Sequence, residues 1–143
     1  RHSYEELFGV LRRLGLHYKD FEQLYRRMVF NVIARNHDDH TKNFSFLMDK
    51  NGQWSFAPAY DLCFSYNPAG RWTSRHQLSL NSKTDDFTRE DLLAVAQSVG
   101  LRDANHIIEE VRASVASWSD VAKDCGVRRE YIEAIGKTLL LDL

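Results

Sequence analysis

The sequence is short of the residues that build loops and cross-links. Two prolines and seven glycines in 143 residues argue against a loop-dominated or all-β chain and favour helices. Two cysteines, Cys63 and Cys125, stand far apart with no metal-type partner at short spacing. That argues against a zinc knuckle or a disulfide framework, and two reduced thiols in the cytoplasm are the expectation. No apolar run approaches the length of a membrane span; the longest notable one is Leu139-Leu140-Leu141. The N-terminus shows no signal-peptide pattern. Charge of one sign is missing too: 19 Lys and Arg face 20 Asp and Glu, for a formal charge of −1. Neither a nucleic-acid-coating surface nor an acidic solvating tail fits that balance.

What is present is an ordinary globular composition, 43% hydrophobic and 27% charged, in a chain long enough to bury one core. It begins Arg1-His2-Ser3 without an initiator Met, as expected of a part of something longer. Ser3-Tyr4-Glu5-Glu6 has the form of a capping box. Leu7, Phe8, Leu11 and Leu14 follow at helical spacing, and Gly15 is placed to end the helix. Asp20 is the expected N-cap of a second helix reaching to about Arg35. Its apolar stripe, Phe21, Leu24, Tyr25, Met28, Val29, Val32 and Ile33, predicts a central buried element.

The period then changes. Phe44–Met48 and Gln53–Ala57 flank Asp49-Lys50-Asn51-Gly52 and predict a β-hairpin, which Pro58 ends. A long connection over 59–75 and a short strand over 76–80 come next. Thr88 caps a helix running to Val99, with Gly100 behind it. Ile107, Ile108, Val111, Val115 and Trp118 mark one further long helix, and Tyr131, Ile132, Ile135 and Leu139 mark the last. The expected fold is mainly α (α+β): a helical bundle with one β-hairpin, as one domain over 1–143.

The chemistry concentrates in His37-Asp38-Asp39-His40-Thr41-Lys42-Asn43, seven polar residues where the buried helix meets the hairpin. A solvated loop is one reading. A transition-metal site on His37, Asp38, Asp39 and His40 is another, disfavoured because adjacent residues cannot easily aim four side chains at one ion. A third reading draws on residues further along the chain. Asn43 stands five residues after Asp38, and Asp61 lies just beyond the hairpin's far strand. Phosphoryl transfer needs a carboxylate near the attacking hydroxyl and oxygen ligands for magnesium on the nucleotide phosphates. A hairpin brings its two ends together, so Asn43 and Asp61 can face one ion.

Asn36-His37-Asp38-Asp39-His40-Thr41-Lys42-Asn43-Phe44-Ser45-Phe46, then Ala57-Pro58-Ala59-Tyr60-Asp61-Leu62, closely resembles the catalytic half of HipA-like protein kinases, the toxin kinases of bacterial toxin–antitoxin pairs. The Asp-x-His-x-x-Asn form also resembles phosphoinositide-type lipid kinases. The resemblance is strongest over about 20–82 and implies a C-lobe fold. It implies Asp38 as catalytic base, Asn43 and Asp61 as magnesium ligands, and His40, Thr41, Lys42, Asn43 and Tyr60 at the ATP site. Tyr60 would contact the nucleotide or brace Asp61. Asp39 is as compatible with a solvated acid as with a role, and His37 with packing or helix capping. The resemblance also implies a protein substrate, with aminoacyl-tRNA synthetases or other translation components as candidates, and an antitoxin partner of HipB type. Neither direct nucleic-acid nor membrane binding is expected. A kinase of this kind needs a phosphate-covering loop and a strand-borne Lys in an N-lobe. Neither precedes Asp38 here, so these 143 residues are expected to be a C-terminal subdomain that turns over little or nothing alone.

Two other classes remain open from sequence. Val121-Ala122-Lys123-Asp124-Cys125-Gly126-Val127 with Ile132 and Ile135 has helix-turn-helix spacing, and would offer Arg128, Arg129, Glu130 and Tyr131 to DNA. A non-catalytic partner-binding domain on a kinase fold is the other. The connection from Ser65 to Arg75 stands where kinases keep an activation or substrate-docking loop, and a plain surface loop fits it equally.

Overall fold

In the computed structural model, which describes residues 2–143, six helices and one hairpin succeed each other along the chain. They are α1 (Tyr4–Arg13), α2 (Tyr18–Ile33), β1 (Phe46–Met48), β2 (Trp54–Phe56), α3 (Arg89–Val99), α4 (Ala104–Ala116), α5 (Trp118–Asp124) and α6 (Arg129–Gly136). A 3-10 turn, Thr41–Asn43, separates α2 from β1. This is the expected helical α+β bundle with a single antiparallel hairpin. No helix among the described residues is long and apolar enough to cross a membrane.

Helix α2 is the central element, for the reason its stripe gave. Leu24, Tyr25, Met28, Val29, Val32 and Ile33 are all fully buried, and each contributes about 1.5–3 kcal/mol of transfer free energy. The helix packs chiefly on α4, through Ile107, Ile108 and Val111, and on α1. Helix α1 carries the capping box as expected: Ser3 Oγ accepts from the Glu6 amide at 3.1 Å, and the Glu6 carboxylate accepts from the Ser3 amide at 3.0 Å. Thr88 and Asp91 repeat the device on α3, which Gly100 closes at φ 79°, a left-handed conformation that favours glycine. The carbonyl of Ile33 at the end of α2 is taken by the Leu140 amide at 3.0 Å, so the C-terminal tail covers a helix end that would otherwise leave an orphan acceptor.

The structure corrects several boundaries. Helix α2 starts two residues before Asp20 with His17 as N-cap, and Asp20 sits in its first turn, where an acid suits the helix dipole. It ends at Ile33 rather than Arg35, because Arg35 turns into the left-handed region at φ 59°. The hairpin is three residues a side, paired Phe46↔Phe56 to Met48↔Trp54. Its turn is closed by the Asp49 carboxylate, which accepts from the Asn51 and Gln53 amides. Residues 76–80 form no strand. They bend at Gln77 and Leu78 and make single bridges, Ser79 to Ser3 and Leu80 to Lys83, because the Gln77 and Leu78 amides go to Asp39 and the Ser79 amide to His2 at the entrance of α1. The long helix expected through Trp118 breaks at Ser117 into α4 and α5. The last helix stops at Gly136, so Leu139 packs from the tail.

Candidate active site

Beyond Asn36, residues 37–40 alternate in burial. Asn36, His37 and Asp39 are buried, whereas Asp38 and His40 are half-exposed. Successive side chains of such a segment point to opposite sides, which removes both the solvated-loop reading and the four-residue metal reading. Among the described residues no group of three or more His, Cys, Asp and Glu could hold a metal ion.

Asp39 faces inward as the hub of a buried network. Its carboxylate accepts from Tyr4 Oη at 2.7 Å, His76 Nδ1 at 2.8 Å, and the amides of Gln77 and Leu78 at 2.8 and 3.4 Å. It is not the solvated acid that was one sequence expectation. Burial and the Asp39 charge push the Tyr4 phenol well above its ordinary value, so it stays a donor. Tyr4 Oη in turn accepts from Asn31 Nδ2 at 3.0 Å. A buried carboxylate is tolerated only when its acceptor capacity is filled, and Asp39 thereby ties 76–78 to the segment that carries Asp38. His37 packs as expected, its ring 4.7 Å from Tyr66 and 4.1 Å from His76. Neither of its ring nitrogens has a hydrogen-bond partner among the described residues. Burial, with the His76 and Arg35 charges adding to it, lowers His37 to about 4, so it is neutral near pH 7.

Asp38 faces outward. Its amide donates to Ser65 Oγ at 3.0 Å, and its carbonyl accepts from the His40 amide at 2.9 Å and from Asn43 Nδ2 at 3.0 Å. The carboxylate is left toward solvent, 3.9 Å from His40 Nε2. Because Asn43 spends its NH2 group on Asp38, the amide is oriented with its oxygen turned away from that carbonyl. Lys42 is exposed and Thr41 half-exposed on the same 3-10 turn.

The hairpin returns the chain to this turn. Ala57 N donates to Ser45 O at 3.0 Å, and Arg27 of α2 holds the far strand through Ala57 O at 2.6 Å with its guanidinium over Phe56. Tyr60 Oη then donates to Lys42 O at 2.8 Å. Tyr60 therefore braces the 3-10 turn and not Asp61. Asp61 is exposed and sits at φ 54°, a left-handed backbone that costs a non-glycine residue about 1–2 kcal/mol. Its carbonyl accepts from Asn36 Nδ2 at 3.2 Å, the same amide that donates to Asn31 Oδ1 at 3.0 Å, while Asn36 Oδ1 accepts from Ser65 Oγ at 3.0 Å. The Cys63 thiol points at Asp61 Oδ1 from 4.0 Å.

The structure brings Asp38, His40, Thr41, Lys42 and Asn43 onto one turn and joins Tyr60 and Asp61 to it from the hairpin's exit. Sequence spacing does not single out Tyr4, Asn31 and His76, which support them, and it places Ser65 only at the start of a candidate activation or substrate-docking loop. Of those three, Asn31 alone has a sequence signal, as a polar residue inside the apolar stripe of α2.

The chain belongs to the HipA-like C-terminal domain family, whose model matches residues 1–119. It is also 33% identical over 126 residues to a Haemophilus influenzae protein named "Putative kinase", a match that covers 76% of this chain and 36% of that protein. The chain thus spans about a third of the length of that curated relative.

Proposed function

We propose that this region is the catalytic half of an ATP-dependent protein serine/threonine kinase. The observation that carries the reading is the pair of outward carboxylates, Asp38 and Asp61, hung from one buried amide network. Asp38 accepts the proton of a substrate Ser or Thr hydroxyl while that oxygen forms a bond to the γ-phosphorus. The bond to the β–γ bridging oxygen breaks and ADP leaves with the electron pair. The donor set at Asn43 and Asp61 fits magnesium, since both offer oxygen, and that ion takes few protein ligands alongside phosphates. When bound, magnesium neutralises charge on the phosphates. His40, Thr41 and Lys42 line the nucleotide, with the Lys42 ammonium offsetting charge on the transferred group, and Tyr60 fixes the turn that presents them.

The described residues hold one two-stranded hairpin and no glycine-rich loop over this turn. By themselves they are accordingly proposed to bind Mg-ATP weakly, and micromolar binding in calorimetry would sink that point. The reading extends to growth inhibition by phosphorylation of a translation component, with an antitoxin of HipB type as partner, in the cytoplasm. No observation favours DNA reading by α5 and α6: Arg128 pairs with Glu130 at 3.1 Å and Arg129 with Glu133 at 2.6 Å. Trp118 Nε1 donates to Ile132 O at 3.1 Å, the contact of a packing unit. The kinase reading is tested by Asp61→Ala in the full-length protein, which is expected to abolish magnesium-dependent nucleotide binding. Unchanged magnesium dependence would count against it.

A further inference from the structure

We propose that Asn36 and Ser65 form a positioning clamp that sets the two functional carboxylates in register, Asn36 through the backbone of Asp61 and Ser65 through the backbone of Asp38. The proposal rests on the phosphotransfer reading and assigns two residues that the reaction itself does not use.

The pattern of donors and acceptors carries it. Asn36 is 1% exposed, and its side chain can offer two donors and one carbonyl acceptor. One donor group serves Asn31 Oδ1 and Asp61 O, and the acceptor takes Ser65 Oγ–H. Ser65 spends its only hydrogen on Asn36, so its oxygen is oriented to accept from the Asp38 amide. Each partner thereby fixes the direction of the next, from α2 through Asn31 to both acids. The backbone closes the same unit: Asn36 N donates to Asn31 O at 2.9 Å, and Ser65 N to Arg35 O at 3.3 Å. Asp61 and Arg35 both lie in the left-handed region, which non-glycine residues keep only when their surroundings over-determine it. The clamp supplies that constraint at Asp61 O and Arg35 O. Neither Asn36 nor Ser65 needs to touch nucleotide or metal to act.

The two arms have separable effects. Partners that orient a metal ligand typically alter affinity or rate by about 10–100-fold when removed. In the full-length protein, Asn36→Ala is expected to weaken magnesium-nucleotide binding at least about tenfold by calorimetry. Ser65→Ala is expected to lower kcat about tenfold with that affinity within about twofold of wild type. Ser65→Thr, which keeps the hydroxyl, restores the rate. Tyr25→Phe removes a remote buried hydrogen bond, Tyr25 Oη to Leu92 O at 2.9 Å. It serves as a control that lowers melting temperature and leaves both readouts unchanged. The clamp is overturned if Ser65→Ala matches wild type in rate and affinity, if Ser65→Thr is no better than Ser65→Ala, or if Tyr25→Phe reproduces the losses. Should Asn36→Ala fail to fold, the two Ser65 variants still decide the matter. A wild-type protein with neither phosphotransfer nor magnesium-nucleotide binding overturns the kinase reading and the clamp together.

Discussion

Replacing His37 by phenylalanine tests the interior beneath the turn. His37 is fully buried between Tyr66 and His76, with no partner for either ring nitrogen among the described residues. A histidine titrates near 6.5 in an unfolded chain, but in the folded chain this one is lowered to about 4, first by burial and then by the His76 and Arg35 charges. Between those values the unfolded state holds a proton that the folded state does not, so stability must fall as pH falls. At about 1.4 kcal/mol per pH unit the interval corresponds to about 3 kcal/mol, fully retained above pH 6.5 and lost by about pH 4. Phenylalanine fills nearly the same volume, stacks on the same rings and titrates nowhere. It also removes two unsatisfied polar atoms, so stability at pH 7 should hold or rise by about 1–3 kcal/mol. The assay is urea unfolding of both chains at several pH values from 4 to 7, monitored by tryptophan fluorescence. Other groups titrate in this range, so the quantity to read is the difference between variant and wild type, which should grow by about 3 kcal/mol toward pH 4. A constant difference would refute the assignment of His37 as a buried neutral ring.

Further perturbations reach other links of the fold. Asp91 is drawn down to about 2: burial opposes the charge, but hydrogen bonds from Lys83, the Thr88 amide and Asn81 outweigh it. Its contribution, about 2 kcal/mol, is present above about pH 4 and lost as pH falls through 2. Asp91→Asn should flatten acid unfolding in that window, and an unchanged acid limb would count against the assignment. Met28→Ala on the buried face of α2 should cost about 2–5 kcal/mol in denaturant unfolding, and a cost near zero would mean that α2 is not the central element.

Much of the fold was legible because its devices are local. The stripe of α2, the Ser3 and Thr88 capping boxes and the Asn51-Gly52 turn each act within a few residues, and each is where the spacing put it. The errors have one physical source, competition from distant groups. Residues 76–80 read as a strand, but the Gln77 and Leu78 amides go to Asp39 and the Ser79 amide to His2. Ser117 interrupts α4 and α5, where the apolar spacing runs on without a break. At the site, Asp38, Asn43 and Asp61 are legible as oxygen-bearing side chains flanking a hairpin, and the structure leaves the Asp38 and Asp61 side chains toward solvent. Asp39 is not legible, because nothing in a polar run distinguishes the acid that turns inward. Its partners Tyr4 and His76 come from 35 residues before it and 37 after it, and only the folded chain brings them together.

The central claim is that Asp38 takes the proton of an acceptor hydroxyl. Its most direct measurement is transfer of labelled γ-phosphate by the full-length protein and by its Asp38→Asn variant, with matched far-UV circular dichroism and melting temperature. The substitution keeps the shape and leaves the backbone bonds to Ser65 and Asn43 in place, so folding and nucleotide binding should persist. Phosphotransfer should fall by at least about 100-fold, the scale of a lost general base. An Asp38→Asn protein that phosphorylates at the wild-type rate would contradict the account.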